Sequence, residues 1–296
     1  MHLDLPKVSI GVPVFNGEAY LRESLDSIVS QTFTNFEVII SDNASSDKSA
    51  EICKEFGDKD NRIKFFQQPE NIGGWPNFKF VLKQARGEYF MWSAADDIRS
   101  LDFVELNYNF LASNSDYIAS TCPNRFGINN KNVSFALKES DEYRRFEIFF
   151  DHCWSSHGIF YSLTRTNILR DCSLLNNNPV FFGIDWAVDI FLASKGKINL
   201  TEMGYTLFNT DEGESKRADH YKRVRNSKIE IFLPFYELSL FVIKLSKPMN
   251  FFKKIKVINI LLKLNIEVIY SRLKTKLKNL LIYFNLIEYN QVKKEV

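Results

Sequence analysis

The chain has little cysteine, glycine or proline: 4 Cys, 12 Gly and 8 Pro in 296 residues. Cys53, Cys122, Cys153 and Cys172 form no CxxC pair and no metal-ligand spacing. That excludes a disulfide scaffold or a zinc ribbon and fits reduced thiols serving as small hydrophobes. No stretch reaches about 18 uninterrupted apolar residues, so no transmembrane helix is expected. The N-terminus lacks a basic region followed by an apolar run, so no signal peptide is expected. Neither GxGxxG nor GxxxxGK[ST] occurs, which removes the dinucleotide fingerprint and the P-loop. Internal repeats and low-complexity tracts are missing as well.

Aromatic residues, in contrast, are abundant. They make up 15% of the chain, and Phe alone counts 27. Such a surplus predicts a well-filled core plus some surface that meets sugar, lipid or protein. Net charge is only +2, but it is unevenly spread. Residues 1–220 carry 22 Lys+Arg against 31 Asp+Glu, and residues 221–296 carry 16 against 5. The acidic body and basic tail suggest an anionic surface as partner for the tail.

The first hundred residues alternate between two periods. KVSIGVPVF (7–15) is an apolar, β-rich run in which Pro13 stands near the end, where a strand stops pairing. Tyr20, Leu21, Leu25, Ile28 and Val29 then recur at helical spacing. FEVIISD (36–42) reads as a strand buried on both faces. A helix ending at Gly57, a strand over 63–68, a loop PENIGGWPNF, a helix closed by Gly87 and a strand EYFMWSAADD follow. This β-α-β-α-β-α-β order predicts right-handed crossovers and a parallel sheet. Ligands of such sheets bind at the carboxyl ends of the strands. Pro13–Asn16, Asp42–Asn43 and Asp96–Asp97 all fall there.

The pair Asp96–Asp97 poses a physical question, because adjacent carboxylates repel and burial penalises both unless a positive charge is near. One answer is a solvated turn or the N-cap of a helix opened by DDIRSLDFVELNY. The other is a divalent metal with a phosphate on its far side. Further along, SSHGIFYSLTRTNIL reads as a strand leading into a helix, and FFGIDWAVDIFLASKG as a helix from Asp185 closed by Gly196. DEGESKRADHYKRV reads as a polar loop. In the tail, Phe251, Ile255, Ile258, Leu262, Ile266 and Ile269 recur every three or four residues among lysines, an amphipathic helix.

The segments VSIGVPVFNGEAYLRESLDSIVSQTFTNFEVIISDNASSDKS, ENIGGWPNF, GEYFMWSAADD and GIDWAVDIFLASKG, in this order, resemble those of the inverting family 2 glycosyltransferases of the GT-A fold. The resemblance covers roughly the first 200 residues. It implies an α/β nucleotide-sugar-binding domain over 1–220, with a mostly parallel sheet flanked by helices. Residues 221–296 would then form a basic helical extension. It also implies a cytoplasmic enzyme at the inner membrane face, active in surface polysaccharide or glycoconjugate assembly. A nucleotide-sugar, UDP- or dTDP-linked, would give its sugar to a hydroxyl of a glycan or lipid-linked acceptor.

On the matching positions, Asp97 would bind Mn²⁺ or Mg²⁺, hard cations that prefer oxygen and leave positions for phosphate. Asp96 would hold the ribose. Asp42 would accept from a base N–H, with an Asx-turn as its alternative. Phe15 would stack on the base or lie in the core, and Pro13 and Asn16 would shape the backbone around it. Glu18 would be a polar contact or a solvated helix start. Asn71 and Gly73 would shape the nucleotide pocket or simply form a tight turn. Asp185 would be the general base, or else an N-cap. Two departures stand out: Ala94 stands where the first of three acidic positions (D-x-D-D) would fall, and Ile184 replaces the first acid of an acidic pair.

Several contacts remain open at this level. His157 and Trp186 would touch sugar, against a structural role for the one and core packing for the other. Arg217 and His220 would clamp the diphosphate, against a solvated charge run. The tail would lie on a membrane surface or pack on protein, including a second copy of the chain. Nucleic acid is not expected, because the basic residues are spaced by aliphatics. A nucleotidyltransferase would need a Gly-rich basic loop after the first strand, and VPVFNGEAY lacks one. A catalytically degenerate scaffold is the remaining alternative.

Overall fold

The computed structural model describes residues 5–126, 131–132, 134–176, 180–208 and 228–283. The N-terminal half runs β1 (Val8–Val14), α1 (Leu21–Val29), β2 (Phe36–Asp42), α2 (Ser49–Lys59), β3 (Ile63–Gln67), α3 (Gly74–Gln84), β4 (Tyr89–Trp92), β5 (Ile98–Arg99), α4 (Phe103–Ser113) and β6 (Tyr117–Thr121). Next come β7 (Asn124–Phe126), β8 (Lys131–Asn132), α5 (Glu142–His152), α6 (His157–Phe160), β9 (Leu163–Arg165), α7 (Thr166–Arg170) and α8 (Ser173–Asn176). The remainder is α9 (Ile184–Lys195), β10 (Lys197–Leu200), β11 (Thr206–Phe208), α10 (Ile229–Phe232), α11 (Tyr236–Leu245) and α12 (Phe251–Tyr283).

Seven strands form one sheet in the order β10-β6-β9-β4-β1-β2-β3. All its pairings are parallel except those of β9, which runs antiparallel to both β4 and β6. A smaller sheet, β5-β11-β7-β8, stands beside it. Every residue of β2 is buried, as its unbroken apolar run requires with helices on both faces. Alternation then sorts the side chains. Val8, Ile10, Val12, Val38, Ile40 and Met91 face one core with α1, α2 and α4. Ile39, Phe90 and Trp92 face the other, with α3, α5 and α9. Gly11 lets α3 approach β1, because a Cβ there would lie 2.7 Å from Val81 Cγ2 and 2.8 Å from Phe90 Cζ.

Element boundaries differ from the sequence reading where tertiary contacts outweigh local signals. Helix α2 continues through Gly57 to Lys59. Helix α3 begins at Gly74, inside the expected loop, with Pro76 in its first turn, where a missing N–H costs nothing. Strand β4 stops at Trp92, so Ser93–Asp97 is a turn rather than strand. The segment SSHGIF is helical, and the strand expected there is confined to β9.

The C-terminal helices pack on the body. Val242, Met249, Val257, Leu261 and Leu264 join the same core as Phe90 and Trp92. The Phe235 amide donates to Asn265 Oδ1 at 2.9 Å, and Lys253 pairs with Asp141. The stripe singled out from periodicity points the other way: Phe251, Ile255, Ile258, Leu262 and Ile266 are exposed. Helix α12 therefore carries two apolar faces, one packed and one open.

At the opposite end of the strands from the site, Glu37 is buried and accepts from Ser9 Oγ at 2.8 Å, Lys64 Nζ at 3.0 Å and Arg86 Nη2 at 2.8 Å. Burial alone would raise its pKa, but the hydrogen bonds outweigh burial and hold it below the ordinary 4.5. The unfolded chain thus binds this proton more readily, and the contribution to stability is present above about pH 4.5 and lost as pH falls through the folded value. Glu37→Gln is expected to cost about 1–3 kcal/mol at neutral pH. Denaturant titrations at pH 7 and pH 3 check this, the loss shrinking in acid.

Candidate active site

At the carboxyl ends of β1 and β2, two loops lace together. The Asn16 amide donates to Ser45 Oγ at 2.9 Å, and Asn16 Oδ1 accepts from the Ser46 amide at 2.9 Å. The Gly17 amide reaches Ser49 Oγ at 2.8 Å. Glu18 Oε2 accepts from the Lys48 amide at 3.2 Å, so this carboxylate ties the first loop to the start of α2. Among the described residues, the non-glycine residues with positive φ are Asn16 (51°) and Ala44 (57°). Both stand in this lacing, where backbone strain commonly marks a functional site. Phe15, beside them, is 50% exposed and so is not a core aromatic. Pro13 is half-buried inside β1.

Asp42 ends β2 with no solvent exposure. Its Oδ2 accepts from the Ser45 amide at 3.3 Å, the Asx-turn expected as one alternative. Its Oδ1 is buried without a partner, the condition of an acceptor awaiting a ligand donor. Asn43 Nδ2 donates to Asn71 Oδ1 at 2.9 Å, and Asn43 Oδ1 accepts from the Ile72 amide at 2.9 Å. Asn71 Oδ1 also accepts from the Gly73 amide at 2.9 Å, and Gly73 adopts φ 91°. Asn71 and Gly73 thus shape the backbone that closes this end.

The acidic turn lies alongside. A Cβ on Gly17 would meet Ala95 Cβ at 3.4 Å, and Ser24 Oγ donates to the Ala94 carbonyl at 3.0 Å. Asp96 is exposed, while Asp97 is 4% exposed. Helix α4 starts at Phe103 with Asp102 at its N-cap position, so neither carboxylate caps it. The positive charge that burial of Asp97 demands comes from the chain itself. Arg99, on β5, is 2% exposed, with its guanidinium 4.9 Å from the Phe103 ring centre. Its Nη2 donates to the Trp92 carbonyl at 3.0 Å, and its Nε and Nη1 find no partner. Burial lowers the Arg99 pKa, and the charge on Asp97 is the largest influence opposing that shift.

Asp185 enters from the far side. Helix α9 starts after Gly183, whose φ of 86° sets the chain direction with Phe235 packed 3.2 Å from where a Cβ would stand. Gly183 holds the N-cap position and Asp185 lies in the first turn, so the capping alternative does not describe it. One turn later Asp189 is fully buried rather than at the surface. Neither of its oxygens has a hydrogen bond of ordinary geometry, although the Ser156 side chain comes close enough to favour the ionised form. Burial first, and the Asp185 charge second, push the Asp189 pKa well upward. Burial thus disfavours the charged form of Asp189 one turn from Asp185.

Tyr161 links these groups. Its ring keeps partial exposure, but its hydroxyl is enclosed. Burial raises the phenol pKa well above 10, and the carboxylates of Asp97, Asp96 and Asp185 raise it further. The acidic turn and the start of α9 therefore both act electrostatically on the Tyr161 hydroxyl. Trp186 is not free to meet a sugar: it is 7% exposed and stacks on Phe235 at 5.1 Å. Trp154 is 55% exposed and lies edge-on at 4.8 Å to Trp186, the residue after Asp185. His157 opens α6 rather than flanking a strand, and packs against Phe126 and Phe208. Arg217 and His220 lie outside the described residues.

A model of glycosyl transferase family 2 matches residues 9–171, more than half of the chain. The chain belongs to this family. The glycosyltransferase GlyA of Streptococcus pneumoniae serotype 4 is 30% identical over 174 residues, which are 57% of this chain and 23% of that protein. An uncharacterized glycosyltransferase of Haemophilus influenzae is 37% identical over 112 residues, 38% of this chain and 45% of that protein. The chain thus spans less than half the length of either relative. The S. aureus TarS fragment 1–349 in complex with UDP-GlcNAc has a TM-score of 0.61 at 22% identity, covering 81% of this chain and 66% of that one. The mannosyltransferase PcManGT from Pyrobaculum calidifontis, in complex with GDP-Man and Mn²⁺, has 0.52 at 18% identity, covering 95% and 82%. These likenesses show the fold alone, a GT-A-like architecture with a C-terminal helical extension.

For a family 2 chain, a divalent metal is a natural question. Among the described residues, no group of three or more His, Cys, Asp or Glu could hold one by itself. The donor set at the turn is carboxylate oxygen from Asp97 with Asp96 next to it. Mg²⁺-type ions are commonly held by one or two carboxylates plus substrate phosphates, so this set fits a metal completed by substrate. Sequence reasoning missed Ser93, Arg99 and Tyr161. Ser93 Oγ is buried without a partner at the end of β4. No local pattern marks any of the three, because burial and pairing across elements define them.

Proposed function

We propose that this chain transfers a sugar, with inversion, from a UDP- or dTDP-linked donor to a hydroxyl of a glycan or lipid-linked acceptor. The observation that carries the reading is that the charges of Asp97 and Asp185, from segments far apart in the chain, both bear on the enclosed Tyr161 hydroxyl. In this reading Asp42 Oδ1 accepts from a base N–H and Phe15 stacks on the ring. Asp96 holds the ribose. Asp97 holds Mn²⁺ or Mg²⁺, which supplies Lewis-acid stabilisation of the departing diphosphate. Arg217 and His220 add charge at the diphosphate. The acceptor oxygen attacks the anomeric carbon opposite the diphosphate. The new C–O bond forms as the old one breaks, and the acceptor proton passes to the Asp185 carboxylate.

A thermal-shift panel of UDP, dTDP, GDP and CMP, each with and without Mn²⁺, tests the donor half. Ligands that bind only the folded state raise its melting point. A shift with UDP or dTDP that requires Mn²⁺ is the expected result; no shift with any nucleotide would sink it. Ala94, in place of the first acid of the D-x-D-D pattern, favours a second reading, a degenerate transferase acting as a scaffold. Donor hydrolysis without acceptor separates the two, since a scaffold shows none.

The exposed Trp154 face is the acceptor platform in this reading, in place of Trp186. Trp154→Ala is expected to raise the acceptor KM about 2–10-fold, from the worth of one aromatic stack. Donor KM stays unchanged, as initial-rate kinetics in both substrates would show. The open face of α12, with Leu262, Ile266, Tyr270, Leu273 and Leu277 among lysines, is suited to an anionic bilayer surface. Among the described residues no helix is long and apolar enough to cross a membrane. Cosedimentation with phosphatidylglycerol vesicles, lost at high salt and in Leu262→Ser/Ile266→Ser, is expected. Salt-independent dimerisation of the free protein through the same residues would point instead to a homo-oligomer contact.

A further inference from the structure

A cleft of about 630 Å³ opens on the outer face of α3, where that helix meets α7 and α8. Its volume lies within the ~300–1,000 Å³ typical of small-molecule sites. None of Asp42, Asp96, Asp97 or Asp185 lines it, so it is separate from the site described above. The walls divide by chemistry. Pro76, Phe80 and Leu175 form an apolar floor, while Lys79, Lys83 and Arg170 stand around it. No acidic side chain lines the cleft among the described residues.

The placement of the cations is specific. Lys79 and Lys83 are four residues apart, hence on one face of α3, and both line the cleft. Arg170 is held from the neighbouring helix by its Nη2, which donates to the Ala85 carbonyl at 2.6 Å and to Leu82 at 3.4 Å. That anchors the guanidinium plane and leaves its other N–H groups for a ligand. No ion pair joins Lys83 or Arg170 to a carboxylate among the described residues.

We propose that this cleft binds a phosphate-bearing amphiphile, its phosphate between Lys79, Lys83 and Arg170 and its alkyl chain over Pro76, Phe80 and Leu175. Charge complementarity selects the head, and the apolar floor selects the tail. The inference does not depend on the transferase reading, and a failure of either leaves the other standing.

Isothermal titration of the full chain with monomeric dodecyl phosphate, inorganic phosphate and dodecyl maltoside tests it. Saturable one-to-one binding of dodecyl phosphate is expected, at least tenfold tighter than either of the others. Lys79→Glu/Lys83→Glu should weaken it tenfold or more with an unchanged melting point. Lys79→Gln/Lys83→Gln serves the same purpose if the charge reversal perturbs folding. Leu262→Ser/Ile266→Ser, on the open face of α12, should leave it intact. Inorganic phosphate binding as tightly would mean an anion site without a tail and would overturn the proposal. So would equal binding of the neutral maltoside, or normal binding by the folded lysine variants, which would place the ligand elsewhere.

Discussion

Asp185→Asn is expected to lower kcat for sugar transfer by about 10²–10⁴-fold, the usual contribution of a positioned general base. The amide keeps the size of the side chain and its place in the first turn of α9, but it cannot take the acceptor proton. The neighbouring Asp189 is buried, which disfavours its charged form, so it is a poor substitute base one turn away. The nucleotide-dependent thermal shift should be unchanged, since Asp185 faces the acceptor side in the proposed reading. Steady-state kinetics with donor and acceptor, paired with the shift assay, makes the check. Transfer at the normal rate by the asparagine variant would remove Asp185 from the mechanism.

Asp97→Ala is expected to abolish the Mn²⁺-dependent part of the UDP thermal shift and to lower kcat/KM by ~10²-fold or more. This substitution has a second consequence that must be measured apart from the first. Asp97 is the largest charge favouring the protonated form of the buried Arg99, and an uncompensated buried cation is costly. The melting point of the ligand-free protein should therefore fall as well. Asp97→Asn retains the shape of the side chain but removes the same charge, so the Mn²⁺-dependent shift of each variant is read against its own ligand-free melting point, which separates loss of metal binding from loss of fold. An asparagine variant that folds normally and still shows the full Mn²⁺-dependent shift would exclude Asp97 as the metal ligand.

The acidic turn shows how the two levels of description divide. That Asp96 and Asp97 end a buried segment at a strand terminus is legible in the order of the residues, because a period-two apolar run and its end are local features. That Asp97 is enclosed and Asp96 open is not, and neither is the source of the compensating charge. Arg99 lies two residues downstream and looks like any surface arginine in the sequence. It is buried because β5 pairs with β11, across Thr206 and Arg99, a contact more than a hundred residues distant in the chain. Asp42 was readable as both turn former and ligand acceptor, and its two oxygens divide along those lines: one takes the Ser45 amide, the other is left without a partner.

The aromatic and tail readings left open what only packing decides. Trp154 and Trp186 are equivalent as sequence, but Phe235 arrives from the C-terminal helices, covers Trp186 and leaves Trp154 in solvent. The helical period of the tail identified an apolar stripe correctly and said nothing of which way it points. Val257, Leu261 and Leu264 took the packed side.

The sequence by itself determined the alternating strands and helices, the carboxyl-edge position of Asp42, Asp96 and Asp97, a helix with Asp185 in its first turn, and the family. All of these rest on local periodicity, turn chemistry and short motifs, which the chain carries wherever it folds. Only the tertiary structure decided which of two adjacent acids is buried, which tryptophan is exposed, which face of α12 is open, and that the charges of the acidic turn and Asp185 bear on one buried hydroxyl. Those outcomes depend on burial and on charges brought together from distant segments, and neither exists until the sheet and helices close around them.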